Sequence, residues 1–414
     1  MDHQTSPEAA DARPPIARWE FIALAAALMA LNALAIDIML PGLQEIGASL
    51  GVADENARQY VITAYITGFG FAQLIYGPVS DRFGRRAPLL FGLTVYVAAA
   101  IACVFVPSFT LLLAFRFMQG LGAAATRVIA ISIVRDVYGG RAMAEVMSLV
   151  FMVFMIVPVI APGIGQVIML FGEWHMIFMF MGVVSFLVTL WAFFRLPETL
   201  HEQYRRPLTV AGTAQAFRIV LTNRVAICYT VAITCTFGAL FGFINSAQQI
   251  YVGLYGVGTM FPVYFAAVAG LMAVSSFLNS RLVGKFGMRR LAHGAMIGFL
   301  IVTGIAFALS LFGQLPLWLF VTLFAIAMAQ FSWIGSNFNA LAMEPLGHVA
   351  GTASSVQGFF QTVVGGVIGA MIGQAFDGTI VPMAAGYFIA GALALVMVLI
   401  AEKGKLFQPH HQPL

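Results

Sequence analysis

The chain reads as a succession of long apolar windows separated by short polar breaks. A helix needs about 20 predominantly apolar residues to cross a bilayer. Windows of that size fall at 19–41, 57–80, 88–107, 109–135, 144–169, 174–196, 223–250, 258–283, 290–312, 316–343, 350–376 and 380–402. The pattern predicts an all-α membrane protein with 12 transmembrane helices, and it lacks the weak alternation over segments of about ten residues that marks a membrane β-barrel. The longest polar break, 197–222, reads "PETLHEQYRRPLTVAGTAQAFRIVLT". It divides the spans into six-helix bundles at 19–196 and 223–402, with polar tails at 1–18 and 403–414. The basic residues of this linker suit either a short amphipathic helix at the membrane surface or a plain connection.

Composition agrees with hydrocarbon as the solvent. Hydrophobic residues make up 61% of the chain and charged residues 9%, against about 25% charged in a soluble domain; the mean hydropathy is +0.92. The net charge of +4 could suggest a nucleic-acid partner. Its distribution says otherwise, because with the N-terminus inside all but Arg58, Arg116 and Arg127 of the 21 Lys and Arg residues fall on the cytoplasmic side. That is the positive-inside bias of an inserted membrane protein. A multi-pass protein of the bacterial inner membrane, with both termini cytoplasmic, is expected. The first eighteen residues are polar, contain Pro7, Pro14 and Pro15, and lack a signal-peptidase pattern, so the first span is expected to act as an uncleaved insertion signal. Cys103, Cys228 and Cys235 all fall within spans, and the last two sit about 10.5 Å apart along one helix. That is too far for a disulfide.

A weak repeat supports the division into halves. "GPVSDRFGRR" follows the second span and "SRLVGKFGMRR" the eighth, with Gly84 and Gly287 in register. Parallel six-helix repeats characterise one large transporter architecture, with substrate at the interface near the midplane.

Four stretches make a resemblance specific. "GPVSDRFGRR" (Gly77 to Arg86), "RFMQGLGAAA" (Arg116 to Ala125), "PVIAPGIGQ" (Pro158 to Gln166) and "ALAMEPLGHVAGTASSVQG" (Ala340 to Gly358) stand in the order of spans two–three, four, five and ten–eleven. Over essentially its whole length the chain resembles a major facilitator superfamily transporter, and within it the Bcr/CflA group of drug:proton antiporters. The resemblance implies proton-coupled multidrug efflux by alternating access in a monomer, with protons and a small molecule as partners, no nucleic acid, and no cofactor or metal. It assigns Gly77, Asp81, Arg82, Gly84, Arg85 and Arg86 to a gating loop that locks the outward-facing state. It also makes Pro158, Pro162 and Gly165 an antiporter-motif helix, where Gln166 stands in place of the usual second Gly. The second copy of the loop has Gly284 where the first has Asp81, so gating is expected to be asymmetric.

The residues carry physical readings of their own. A guanidinium in hydrocarbon costs about 2.5 to 17 kcal/mol, so Arg116 must face a cavity or a partner. Arg116, Gln119, Ala123 and Arg127 share one helical face. Asp37 is the acidic residue that falls well inside a span, and "DIMLP" resembles the first-span motif of drug:proton antiporters. Measured from the predicted outer ends, Asp37 and Arg116 differ in depth by about 5 Å. They are therefore placed to approach one another and to couple transport to protons. Pro158 and Pro162 remove backbone donors and bend the fifth span; Gly163 and Gly165, like Gly365, Gly369 and Gly373 in the eleventh, allow close helix contact. In the second half, Asn245 and Gln248 share a face of span seven with Thr234 and Phe241. Trp333 and Asn337 share one of span ten with Gln330, and Gln357 and Gln361 one of span eleven with Ser354. Together with Gln119 and Arg127 they are candidates for a mixed apolar and polar substrate cavity; each also suits interhelical hydrogen bonding.

An enzyme is the weaker alternative, since no P-loop, zinc-ligand spacing or nucleophile elbow appears and the histidines are scattered. No ATP-binding domain is present, so transport is expected to draw on a proton gradient. Two arginines against one carboxylate favour an anionic, zwitterionic or neutral solute over a lipophilic cation. A carrier of one anionic or zwitterionic metabolite is the alternative to drug efflux.

Overall fold

Residues 16–138, 140–205, 215 and 218–408 are described by the structure, a computed structural model. The tails 1–15 and 409–414, much of the linker and the side chain of Ser354 lie outside the described residues. Twelve long helical elements follow one another. The first half has Arg18–Asp37, Tyr60–Phe83, Arg86–Val104, Phe109–Val137, Gly140–Phe171 and His175–Arg195. The second has Arg224–Gln248, Phe261–Phe286, Met288–Ser310, Leu317–Met343, a segmented helix over Ala350–Phe359 and Gly365–Gln374, and Val381–Ala401. They are called the first to twelfth spans below. Ten are long and apolar enough, by length and composition, to cross a membrane. The second is made less apolar by Gln73, three tyrosines and three glycines, and the fifth contributes an apolar stretch at Ile156–Phe171.

The helix ends follow from the sequence. Asn223 Oδ1 accepts from the Ala226 N–H at 3.0 Å and Ser108 Oγ from that of Leu111 at 3.4 Å, so each caps a helix with orphan donors. The second and eighth spans both stop at a glycine with positive φ, Gly84 at 92° and Gly287 at 82°, a backbone region costly for other residues. The loop repeat seen in the sequence is thus a repeat of backbone geometry.

The first span departs most from the hydrophobic pattern. Its apolar run continues through a 3₁₀ turn at Leu40–Gly42 and a short helix at Leu43–Ser49, 32 residues in all. Pro41 and Gly42, read as the outer boundary, are a bend inside the span. Asp37 therefore lies not near the outer rim but at the break, about 18 Å of helix from Ser49.

Each half is a bundle in which small residues set the spacing. A Cβ on Gly120 would fall on the Tyr65 carbonyl, and one on Gly122 would come 2.6 Å from Tyr96 N, so spans two, three and four pack backbone to backbone. Large side chains such as Trp19, Phe171 and Phe312 stand 73%, 88% and 91% exposed around the outside, the face that hydrocarbon covers. The halves meet through spans two and eleven and through spans five and eight. Phe71 and Phe359 cross this seam with ring centroids 5.6 Å apart, and Gln73 Nε2 donates to Thr362 Oγ1 at 2.9 Å. Spans four and ten do not join the halves to a comparable extent. Arg195 beside Glu20, and Arg224 beside the Ala401 carbonyl, place the first and last helix ends at one arginine-rich end of the molecule.

Candidate functional site

Arg116 is fully buried in the fourth span and every polar contact of its guanidinium is accounted for. Nε donates to Val61 O at 3.2 Å, Nη1 to Gln119 Oε1 at 2.7 Å, and Nη2 to Ala35 O at 3.0 Å, with Met39 Sδ at 3.3 Å. The Tyr65 ring lies 4.5 Å from its Cζ, a cation–π distance. A planar fork of donors is suited to tie three helices through their free acceptors. The expected approach of Asp37 to Arg116 is therefore absent from this state. Ala35 and Met39, which touch Arg116, flank Asp37 in the chain, yet no ion pair or hydrogen bond joins Asp37 to the guanidinium among the described residues.

Asp37 is 4% exposed, and its Oδ1 has no hydrogen-bond partner among the described residues. Beyond the break, the Pro41 carbonyl accepts from Gln248 Nε2 of the seventh span at 3.3 Å, so the bend that carries Asp37 is bonded to the second half. A Cβ on Gly165 would strike the Ile38 carbonyl, so this glycine seats the fifth span against the bend beside Asp37. Pro158 and Pro162 lie inside that same helix, whereas Gly163 faces open space and is not a packing contact.

The second-half candidates divide. Asn245 is 1% exposed with neither amide atom paired, and Gln357 Nε2 is likewise free among the described residues. Trp333 Nε1 instead donates to Ser275 O at 2.8 Å, and Asn337 Nδ2 to Asn279 Oδ1 at 2.8 Å. Gln361 Nε2 donates to Asn339 Oδ1 at 2.9 Å. These three bind helices of their own half together, the interhelical bonding that their polar stripes also suit. Arg127 is half-buried in the fourth span and has no hydrogen bond or ion pair among the described residues.

At the arginine-rich end the loop from Gly77 to Arg86 is a clasp within the first half. Arg85 Nε donates to Asp136 Oδ2 at 2.7 Å, and Nη1 to Asp81 Oδ1 at 2.5 Å and Ser80 Oγ at 2.9 Å. Burial works against the Arg85 charge, but the bonds to Asp136 and Asp81 outweigh it and hold its pKa above the usual value. Glu198 accepts from the backbone N–H of Arg85 at 2.7 Å and of Arg86 at 3.1 Å, a carboxylate at the start of the third span. Arg86 Nη2 donates to Phe193 O at 2.7 Å, and Arg82 is exposed. Toward the other half the loop offers Gly77, where a Cβ would lie 3.3 Å from Ser355 Oγ. Asp136 and Glu198 were not singled out from the sequence; the only hint was that each carboxylate sits beside a span end rich in arginine. The second-half loop uses Arg289 instead, 3.0 Å from Glu402 and 2.7 Å from Glu344. Removing one partner of a buried ion pair costs about 3–5 kcal/mol. Asp136→Ala is therefore expected to lower the melting temperature of the detergent-purified protein by several degrees, and Arg82→Ala to leave it unchanged.

The chain matches the sequence profile of the Major Facilitator Superfamily over residues 22–370. It is 32% identical over 381 residues to a bicyclomycin resistance protein homolog of Haemophilus influenzae, covering 92% of this chain and 94% of that one. It is 30% identical over 350 residues to the multidrug resistance protein MdtL of Escherichia fergusonii, covering 82% and 85%. The xylose transporter XylE of E. coli, in a partially occluded inward-open conformation, superposes with a TM-score of 0.71 at 13% identity over 93% of this chain and 97% of that one. With its two six-helix bundles, its buried fourth-span arginine and its loop clasp, the chain belongs to the Major Facilitator Superfamily and, within it, to the Bcr/CflA group.

Proposed function

We propose that this protein is an inner-membrane carrier, not an enzyme, that expels small drug-like solutes in exchange for protons by alternating access. The observation that carries the coupling is Asp37, a buried carboxylate without a cation, set at the bend by which the first span reaches the second half through Pro41. A buried charge lacking partners costs several kcal/mol. The neutral acid suits a sealed interface and the anion a hydrated one, so opening and closing moves a proton. The positive-inside bias puts the arginine-rich end in the cytoplasm, and the drug-resistance names of the relatives support export. The test is a susceptibility panel in an efflux-deficient host, followed by pH-gradient-driven transport of any hit in liposomes. Resistance to at least one compound is expected; no resistance together with uptake of a single metabolite overturns the reading.

A second reading concerns the solute. Arg127 offers a positive charge with no counter-ion among the described residues, which favours solutes carrying a carboxylate or another anionic group. Arg127→Gln is expected to remove resistance to anionic or zwitterionic compounds while retaining it for neutral ones. Equal loss across the panel would assign Arg127 a structural role instead.

A further inference from the structure

At the end opposite the arginine-rich loops, the halves are fastened by side-chain amides. Gln59 Nε2 of the second span donates to the side-chain carbonyl of Gln249 and to Gly373 O at 3.2 Å. Asn56 Nδ2 donates to Gln374 O at 3.0 Å and Phe376 O at 2.9 Å. In return the Asn56 side-chain carbonyl accepts from Gln249 Nε2 at 2.7 Å and its backbone carbonyl from Gln374 Nε2 at 2.6 Å. Gln59 and Gln249 are buried. Gln249 opens a π-helical turn, Gln249–Leu254, in the seventh span, a local irregularity often found at functional positions.

Beneath this layer lies Asn245 with both amide atoms unpaired, and a Cβ on Gly373 would lie 3.1 Å from its Cβ. A small cavity beside the layer is lined by Gln44, Glu55, Arg58, Asn245 and Gln248. The ion pairs among the described residues behave differently, for each stays inside one half: Arg85 with Asp81 and Asp136, Arg195 with Glu20, Arg289 with Glu344 and Glu402. Charged pairs therefore stiffen each bundle, and neutral amides join the two.

We propose that Asn56, Gln59, Gln249 and Gln374 form the outer gate of the carrier, a latch that opens between the start of span two on one side and the ends of spans seven and eleven on the other, with Asn245 the first group uncovered. The reasoning is energetic as well as geometric. An amide–amide hydrogen bond exchanges almost evenly for bonds to water, so a latch of neutral amides holds the outer end shut yet releases it for a small cost. A buried ion pair in the same place would have to be rehydrated in every cycle. The proposal rests on the alternating-access reading above, and its test is independent of which solute is carried.

The test uses the full-length protein in membranes, with Cys103, Cys228 and Cys235 replaced by serine and Asn245→Cys as reporter. Labelling by a membrane-impermeant methanethiosulfonate applied from outside is measured with the amide layer intact and with Gln59→Ala plus Gln249→Ala. Slow labelling in the first case and about tenfold faster labelling in the second is expected, the change in an opening equilibrium that losing the three hydrogen bonds of these two side chains produces at the low end of their net contribution. Gln248→Cys serves as a second reporter where Asn245→Cys lowers the yield of folded protein. An unchanged rate at both reporters overturns the gate. A faster rate in a protein that confers no resistance upholds the gate and counts against drug efflux alone.

Discussion

Asp37→Asn is expected to abolish transport driven by a pH gradient, down to the level of empty liposomes, while solute still exchanges across the protein down its own gradient. Asparagine has nearly the shape of the protonated acid and cannot ionise, so the variant is fixed in one of the two states that coupling requires. The position explains why the effect should be complete. Asp37 stands at the bend between Arg18–Asp37 and Leu40–Gly42, its Oδ1 lacks a partner among the described residues, and the bend reaches Gln248 of the other half through the Pro41 carbonyl. A proton gained or lost there changes the cost of closing the interface between halves. The measurement is solute flux in proteoliposomes with an imposed pH gradient, compared with counterflow at equal pH. Full gradient-driven transport by Asp37→Asn would sink the assignment; loss of counterflow as well would show that the carboxylate is needed for binding or folding rather than for coupling.

Arg116→Ala is expected to cost the fold more than any other single change in the first half. The guanidinium ties the first, second and fourth spans together through Ala35 O, Val61 O and Gln119 Oε1, and it is fully buried. Hydrogen bonds from a charged donor contribute about 1.5–3 kcal/mol each, and the three acceptors would be left buried together. Arg116→Lys should recover little, since one ammonium cannot reproduce a planar fork aimed at three directions. Both variants are expected to show a melting temperature lowered by well over ten degrees in detergent, or a poor yield of monodisperse protein. A normal melting temperature with transport lost would return Arg116 to direct proton coupling. Because Ala35 O is one of its acceptors, Arg116 fixes the turn immediately before Asp37, and its influence on coupling runs through the backbone rather than through a charge pair.

The sequence by itself determined the solvent, the all-helical multi-pass architecture and the family. Each of those rests on a signal that is linear along the chain: apolar windows long enough to cross hydrocarbon, arginines sorted to one side, and motifs at fixed spacing. It also marked Arg116 and Asp37, because an ionisable group inside an apolar window is costly wherever it points. Tertiary structure decided where those groups point. Periodicity placed Arg116 and Asp37 at nearby depths, but only the packed helices give Arg116 to the Ala35 and Val61 carbonyls and leave Asp37 Oδ1 without a partner among the described residues. Pro41 read as a helix end because proline and glycine usually punctuate, whereas packing against the fifth span at Gly165 carries the helix on to Ser49. Trp333 and Asn337 looked like cavity residues because a polar stripe has the same period whether it faces a solute or the next helix; their partners, Ser275 and Asn279, are more than fifty residues away. The outer amides were least legible of all. Asn56, Gln59, Gln249 and Gln374 are ordinary residues at span ends, separated by up to 318 positions, and only the docking of the two halves brings them into one hydrogen-bonded layer.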